Sequence, residues 1–224
     1  TYGTGSSLMT LTAERVASRH GLSGTIAWTD QAGTAYALEG NIIVSAQAAA
    51  YMAKLLGVSD APALSALAET VDGSDGVSFV PALSGLGAPY WDDRATGLIS
   101  GMTHGTTPAH LARAAFEAIA HQIADVFEAM QADIGQPLEA LRADGGASSN
   151  AFLMQLQANV LQKPVDRAEI EEVGALGAAA MAFNALGISP DFGAGSKRFM
   201  PNVGSDAVRA MRDQWRDAVR RARF

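Results

Sequence analysis

In Asp144-Gly145-Gly146-Ala147-Ser148-Ser149-Asn150 two adjacent glycines stand where a strand-like segment, Leu138 to Ala143, gives way to a helical pattern with Phe152, Leu153, Leu156 and Val160 on one side. Backbone without side chains lets a flat or charged ligand come close, and a helix starting just beyond it offers free N–H groups and the positive end of its dipole. That chemistry suits a nucleotide. The same glycines would equally serve a strand-to-helix turn that needs them only for their dihedral angles, and the local sequence leaves both readings open. A second string, Gly3-Thr4-Gly5-Ser6, sets a hydroxyl between glycines, where it could donate to a phosphate oxygen while backbone amides add further donors. Short strings of this kind also occur in ordinary loops. Neither a Gly-x-x-x-x-Gly-Lys-Ser/Thr string nor a Gly-x-Gly-x-x-Gly following a strand is present.

Other reactive side chains form no constellation. His20, His104, His110 and His121 lack metal-ligand spacing, so no structural zinc site and no metal ligands are expected. Asp92, Asp93, Glu169, Glu171 and Glu172 read as solvated charges, since nothing pairs them with a second catalytic group. Arg216, Arg220, Arg221 and Arg223 close a helical pattern, where cations favour the negative end of the dipole, and read as a solvated helix end. A formal charge of -7 argues against general affinity for nucleic-acid phosphates. No apolar run approaches the roughly 20 residues needed to span a bilayer. With no cysteine, disulfide and thiol chemistry are excluded, and a cytoplasmic location is the simpler expectation.

The elements that must position these residues follow from periodicity. Residues 25–40 alternate on both sides of Asp30-Gln31-Ala32-Gly33, which predicts a β-hairpin. Ile42 to Leu56 predicts a helix stopped by Gly57. Val77, Phe79 and Pro81 suggest a short strand before the Gly/Pro-rich loop of residues 84–91. Thr107 as cap and Pro108 at the first position begin a long amphipathic helix, with Ala112, Phe116, Ile119, Ile123, Val126 or Phe127 and Met130 on its buried side, ending at Gly135. Leu138 to Ala143 predicts a strand, a helix is expected to begin near Ser148 to Asn150, and residues 164–167 suggest one more strand. Gly174 to Leu186 forms an Ala/Gly/Leu helix suited to close packing, residues 187–204 fall outside regular structure, and Ser205 caps a last helix with Val208, Met211, Trp215 and Val219 as its stripe. Strands that come first as a hairpin and later alternate with helices predict an α/β fold, a mixed sheet flanked by helices. Residues 1–224 read as one domain. The turn-rich start at Thr1, with no Met before it, reads as a cut from a longer protein.

Taken in order, Thr1-Tyr2-Gly3-Thr4-Gly5, Tyr36-Ala37-Leu38-Glu39-Gly40, Phe79-Val80-Pro81-Ala82, Ser84-Gly85-Leu86-Gly87-Ala88-Pro89-Tyr90-Trp91-Asp92, Gly105-Thr106-Thr107 and Asp144-Gly145-Gly146-Ala147 with Asn150 resemble the C-terminal domain of glycerol kinase-like carbohydrate kinases, the FGGY family. The resemblance runs from residue 1 to about residue 187. The Ala-Pro-Tyr-Trp loop is more similar to glycerol kinases than to xylulose or gluconate kinases, where the loop usually reads Gly-Glu-Arg-Thr-Pro. The resemblance implies a ribonuclease H-like, actin-like ATPase fold and a two-domain parent that transfers the γ-phosphoryl of Mg-ATP to a polyol or sugar hydroxyl, most readily glycerol. ATP and Mg2+ are the implied cofactors, and a missing N-terminal kinase domain is the implied partner; a homo-oligomer is left open.

By matching motif positions, Thr4 and Gly5 would lie at the phosphates, Gly145 and Gly146 against the adenosine, and Asn150 at the adenine or ribose; the helix from Gly174 would close against the N-terminal half. No catalytic residue is assigned, because the family's general base belongs before Thr1, and the chain alone is expected to be inactive. Ala46 and Ala50 stand where the family usually has Gly and Gln near the nucleotide, and Ser6-Ser7 stands where it tends to carry an aromatic residue near the polyol. Ala46 and Ala50 put the family's usual nucleotide contacts there in question, and Ser6-Ser7 suggests a pocket for a larger or more polar polyol. These departures also motivate a second reading, a non-catalytic, nucleotide-gated sensor of the actin-like superfamily.

Overall fold

The computed structural model describes residues 1–170, 172–193 and 195–223. Its organising element is the long helix expected from Thr107 to Gly135, here α3 (Pro108–Ile134). Thr107 in extended backbone caps it, the His110 Nδ1 accepts from the Thr107 backbone N–H at 3.1 Å, and Gly135 at φ 74° ends it. Ala112, Phe116, Ile119, Ile123, Val126, Phe127 and Met130 are all buried. Full burial of each large member removes it from water at a gain of about 1.5–3 kcal/mol.

On one side of α3 lies an antiparallel sheet of β1 (Ser6–Thr12), β2 (Ser23–Asp30) and β3 (Gly33–Ile42), in the order β1-β3-β2. The β2–β3 pair is the expected hairpin, closed by Gln31-Ala32, with a register shift between Ile26 and Trp28. Gly40 is required by proximity, since a Cβ there would come within 2.4 Å of Val126 Cγ1 on α3. Helices α1 (Ala46–Leu56), α2 (Ala61–Ala68) and α4 (Ala151–Leu161) pack around α3, burying Ala48, Ala49, Met52, Leu64, Leu153 and Met154. Beyond them β6 (Leu141–Ala143) runs parallel to β7 (Val165–Ala168), which pairs antiparallel with β8 (Ser196–Phe199). Strands β4 (Ser78–Val80) and β5 (Leu98–Ser100) form a separate ribbon, and α5 (Val173–Ala185) and α6 (Ser205–Ala222) complete the chain.

Several expectations are corrected. The helix foreseen from Ile42 begins at Ala46, because Ile42 is the last residue of β3. The helix foreseen near Ser148 starts as a 3-10 turn, Gly146–Ser149, and becomes α-helical only after Asn150. Residues 187–204 contain β8, whose Arg198 forks onto Asp166 of β7 at 2.7 and 2.8 Å. Gly204, not Ser205, is the N-cap of α6, a one-residue difference of the usual size for helix ends. Strands β1 and β5 and helix α2 were not anticipated. The expected mix of antiparallel and parallel pairing is present: among the described residues, β1-β3-β2 is antiparallel and β6-β7-β8 holds one parallel and one antiparallel pair. Helix α5, expected to pack closely, has no buried residue in the described structure.

The junction of α3 and α6 is the other departure from pattern. Beside the expected Val208, Trp215 and Val219, α6 buries Arg212, whose guanidinium meets Asp125 at 2.6 Å and donates to the His121 carbonyl at 3.1 Å. Trp215 Nε1 and the Tyr90 hydroxyl both donate to the other Asp125 oxygen, at 2.8 and 2.9 Å, while His121 stacks on Trp215 at 5.3 Å. A buried ion pair of this kind is tolerated because every charged atom has a partner. The arginines read as a solvated helix end are exposed yet paired: Arg216 with Glu128, Arg220 and Arg221 with Asp217, and Arg223 with Asp92.

Candidate functional site

Three backbone segments converge at one corner of the fold, and they contain all the residues that the sequence proposed for a ligand. The first is the entry loop. The Thr4 carbonyl accepts from Ser45 and Gln47 N–H at 2.9 and 3.3 Å, and the Gly3 carbonyl accepts from Ala46 N–H at 3.1 Å. These bonds satisfy the start of α1, where Ser45 makes no side-chain cap of its own. They also fix Thr4 beside Ala46, leaving the exposed Thr4 hydroxyl without a side-chain partner among the described residues. Gly5 packs against the end of β3, where a Cβ would meet the Ile42 carbonyl at 2.6 Å.

The second segment is the glycine turn, and here the two glycines separate into two roles. Gly145 sits at φ 87°, ψ 162°, and a Cβ on it would lie 2.6 Å from the Tyr2 carbonyl. Glycine is needed there for backbone angle and close approach, so the structural reading holds for this position. Gly146 has ordinary φ, is exposed, and a Cβ would find nothing within 4 Å. It is the member of the pair that faces open space. The entry loop and the turn are joined through Tyr2: its N–H donates to the Asp144 carbonyl at 2.7 Å and its carbonyl accepts from Ala147 N–H at 3.2 Å. The Tyr2 ring is buried, its hydroxyl donating to Gln157 Oε1 at 2.8 Å, and burial holds that hydroxyl well above the ordinary phenol range.

The third segment is the start of α4. Asn150 Oδ1 accepts from Leu153 N–H at 2.9 Å, an N-cap, and its Nδ2 donates to Ser65 of α2 at 2.9 Å. One amide hydrogen and one lone pair of this side chain are therefore committed to the fold. Tyr2, Gln157 and Ser65, which hold the corner together, carried no local signal: a buried hydroxyl in an Ala-rich helix looks like any surface serine.

The open corner fits a nucleotide in its donor chemistry: a free hydroxyl, an unobstructed glycine and backbone that comes close without side chains. Ala46 and Ala50, on α1 beside it, provide only methyl groups. Among the described residues no group of three or more His, Asp or Glu is placed to hold a metal ion. The remaining carboxylates lie apart. Asp92 is held below the usual carboxylate range by a hydrogen bond from Arg223, and so is paired rather than merely solvated; Glu169 and Glu172 are exposed, and Glu171 lies outside the described residues. His20 pairs with Asp133 at 2.7 Å and His110 serves the cap of α3.

The model of the C-terminal domain of the FGGY family of carbohydrate kinases matches residues 1–186. Apulose kinase of Pectobacterium atrosepticum is 47% identical over 230 residues, spanning 100% of this chain and 46% of that protein. Glycerol kinase of Deinococcus radiodurans is 45% identical over 231 residues, again spanning 100% of this chain and 46% of the relative. The chain thus spans about half the length of the curated relatives it matches. Among solved structures, Plasmodium falciparum glycerol kinase with ADP superimposes with a TM-score of 0.86 at 30% identity, over 100% of this chain and 46% of that one. A xylulose kinase from Lactobacillus acidophilus gives a TM-score of 0.83 at 24% identity, over 99% of this chain and 46% of that one, a likeness of fold alone.

Proposed function

Because the chain belongs to the FGGY family of carbohydrate kinases, as its C-terminal domain, we propose that it is the nucleotide-facing half of an enzyme that moves the γ-phosphoryl group of ATP to a hydroxyl of a polyol or sugar, glycerol foremost. The observation that carries this reading is that the entry loop of Thr4 and Gly5 and the turn of Gly145 and Gly146 leading to Asn150 are joined through Tyr2, with the Thr4 hydroxyl exposed and Gly146 facing open space. ATP supplies the phosphoryl group and Mg2+ offsets its charge. The chain's own residues bind and orient: the Thr4 hydroxyl donates to a phosphate oxygen, and Gly146 lets the nucleoside lie against backbone. Gly145 keeps the turn in its required conformation, and the uncommitted amide hydrogen of Asn150 reaches the adenine or ribose. Phosphoryl transfer depends chiefly on such positioning and on charge stabilisation. The general base comes from the N-terminal half, and α5, apolar and uncovered, is the surface that half closes on. The protein works in the cytoplasm.

Ser6-Ser7, in place of the aromatic residue the family tends to carry near the polyol, leaves space that suits a polyol larger or more polar than glycerol. The substrate panel for the test therefore includes glycerol, apulose, xylulose and gluconate. The full-length protein is incubated with Mg-ATP and each compound, and ADP release is followed by a coupled assay. Substrate-dependent ADP release with at least one member supports the kinase. Nucleotide binding with no substrate-dependent release from this panel or a wider one would instead identify a non-catalytic sensor, the reading that Ala46 and Ala50 keep alive. The 224-residue chain alone is expected to release no ADP.

A further inference from the structure

We propose that Ser7 and Glu39 form a specificity-determining pair that accepts hydrogen bonds from a hydroxyl of a neutral polyol or sugar and turns away sugar acids. The pair rests on the reading above, in which the phosphoryl acceptor lies beside Ser6-Ser7, and it fixes what is selected there.

The two serines are alike in sequence and part company in the fold. Successive side chains of a strand point to opposite faces, so β1 directs Ser6 and Ser7 apart. Ser6 is buried, and its hydroxyl donates to Ser45, just before α1, at 2.6 Å. The face that meets α3 carries Leu8 and its partner Gly40, the glycine crowded by Val126. Ser7 stands on the other face with the exposed Met9 and Leu11. There it is half-buried, and its hydroxyl donates to Glu39 Oε1 of β3 at 2.9 Å. Register explains the contact: Ser7 lies opposite Asn41, which makes Glu39 its diagonal cross-strand neighbour. Ser7 is also three residues from Thr4, a distance of at most about 11 Å along the chain. A hydroxyl held at Ser7 is therefore close to a phosphate held at Thr4.

The direction of the hydrogen bond decides what the pair can offer. A carboxylate only accepts, so the Ser7 hydrogen is committed to Glu39 and the Ser7 oxygen presents lone pairs outward. Glu39 Oε2 is a further acceptor, and among the described residues no cation pairs with Glu39. Two acceptors beside one negative charge recognise hydroxyl donors and repel a carboxylate. They fit a neutral polyol or sugar with a hydroxyl beyond the one that receives the phosphoryl group. Open space at Ser7 alone would not discriminate in this way, since it admits gluconate as readily as a neutral sugar.

The test is calorimetric binding of glycerol, apulose, xylulose, gluconate and a wider set of neutral polyols and sugars to the full-length protein without nucleotide. At least one neutral compound larger than glycerol should bind the parent about tenfold or more tightly than gluconate. Ser7→Ala should weaken that compound about tenfold, the scale of a hydrogen bond tied to a charged group, and Ser7→Thr, which keeps the hydroxyl, should weaken it less. Glu39→Gln keeps an oxygen for Ser7 but removes the charge, and should narrow the gap to gluconate. Urea unfolding of each variant without sugar separates lost binding from lost stability; a purely structural pair would lower stability and leave the gap unmoved. Gluconate bound by the parent as tightly as the neutral compounds, a gap unchanged in Glu39→Gln, or no neutral compound bound at all would each overturn the pair. Binding with the expected effects but without ADP release would leave the pair standing and remove the kinase.

Discussion

Replacing each of the paired glycines by alanine separates the two readings of the turn that sequence alone leaves open. Gly145 lies at φ 87°, ψ 162°, a region closed to other residues, and an added Cβ would stand 2.6 Å from the Tyr2 carbonyl. Gly145→Ala is therefore expected to cost about 3 kcal/mol, the upper end for one residue in such a region. Gly146→Ala meets nothing within 4 Å, and should stay within about 0.5 kcal/mol of the parent, as surface substitutions usually do. The same methyl group projects into the space assigned to the nucleoside. ATP affinity should fall about tenfold, near 1.4 kcal/mol. Stability is read by urea denaturation and affinity by calorimetry on the full-length protein. A Gly146→Ala variant that is stable and binds ATP as the parent does would refute the nucleotide site. A neutral Gly145→Ala would refute the account of the turn.

Other consequences can be checked on the same material. Arg212→Ala strands the Asp125 carboxylate in the α3–α6 junction and should cost about 3–5 kcal/mol in denaturant unfolding. His121 is held well below the usual imidazole range by burial and by the positive charges of Arg212 and Arg216. A depressed folded value means that stability is fully present above the unfolded value of about 6.5 and falls as pH drops below it; unfolding followed from pH 7 to 5 should show this slope, and His121→Gln should flatten it. Asn150→Ala removes the α4 cap and should cost about 1 kcal/mol even without ATP, whereas Asn150→Ser, which keeps a capping oxygen, should cost less. Only ATP affinity measured in the serine variant bears cleanly on a ligand role for Asn150.

The sequence by itself determined the long helix from Thr107 to Gly135, the hairpin at Asp30 to Gly33, the turn at Gly145-Gly146 and the family. These features are local: a period of 3.6, a cap, an αL glycine and an ordered set of motifs each sit within a few residues of the atoms that enforce them. What spacing alone does not encode was decided by tertiary contact. Gly145 and Gly146 are identical in sequence, and only the approach of Tyr2, more than 140 positions away in the chain, makes one structural and leaves the other open. Asn150 was foreseen as a ligand contact, but its engagement with Ser65 depends on where α2 lies. Strand β1 escaped notice because its buried face begins with Ser6, a polar residue accepted there by a hydrogen bond of 2.6 Å to the buried Ser45. Likewise Arg212 and Asp125 read as surface charges until α6 folds across α3, since a buried charge is tolerable only when its partner arrives from a distant element.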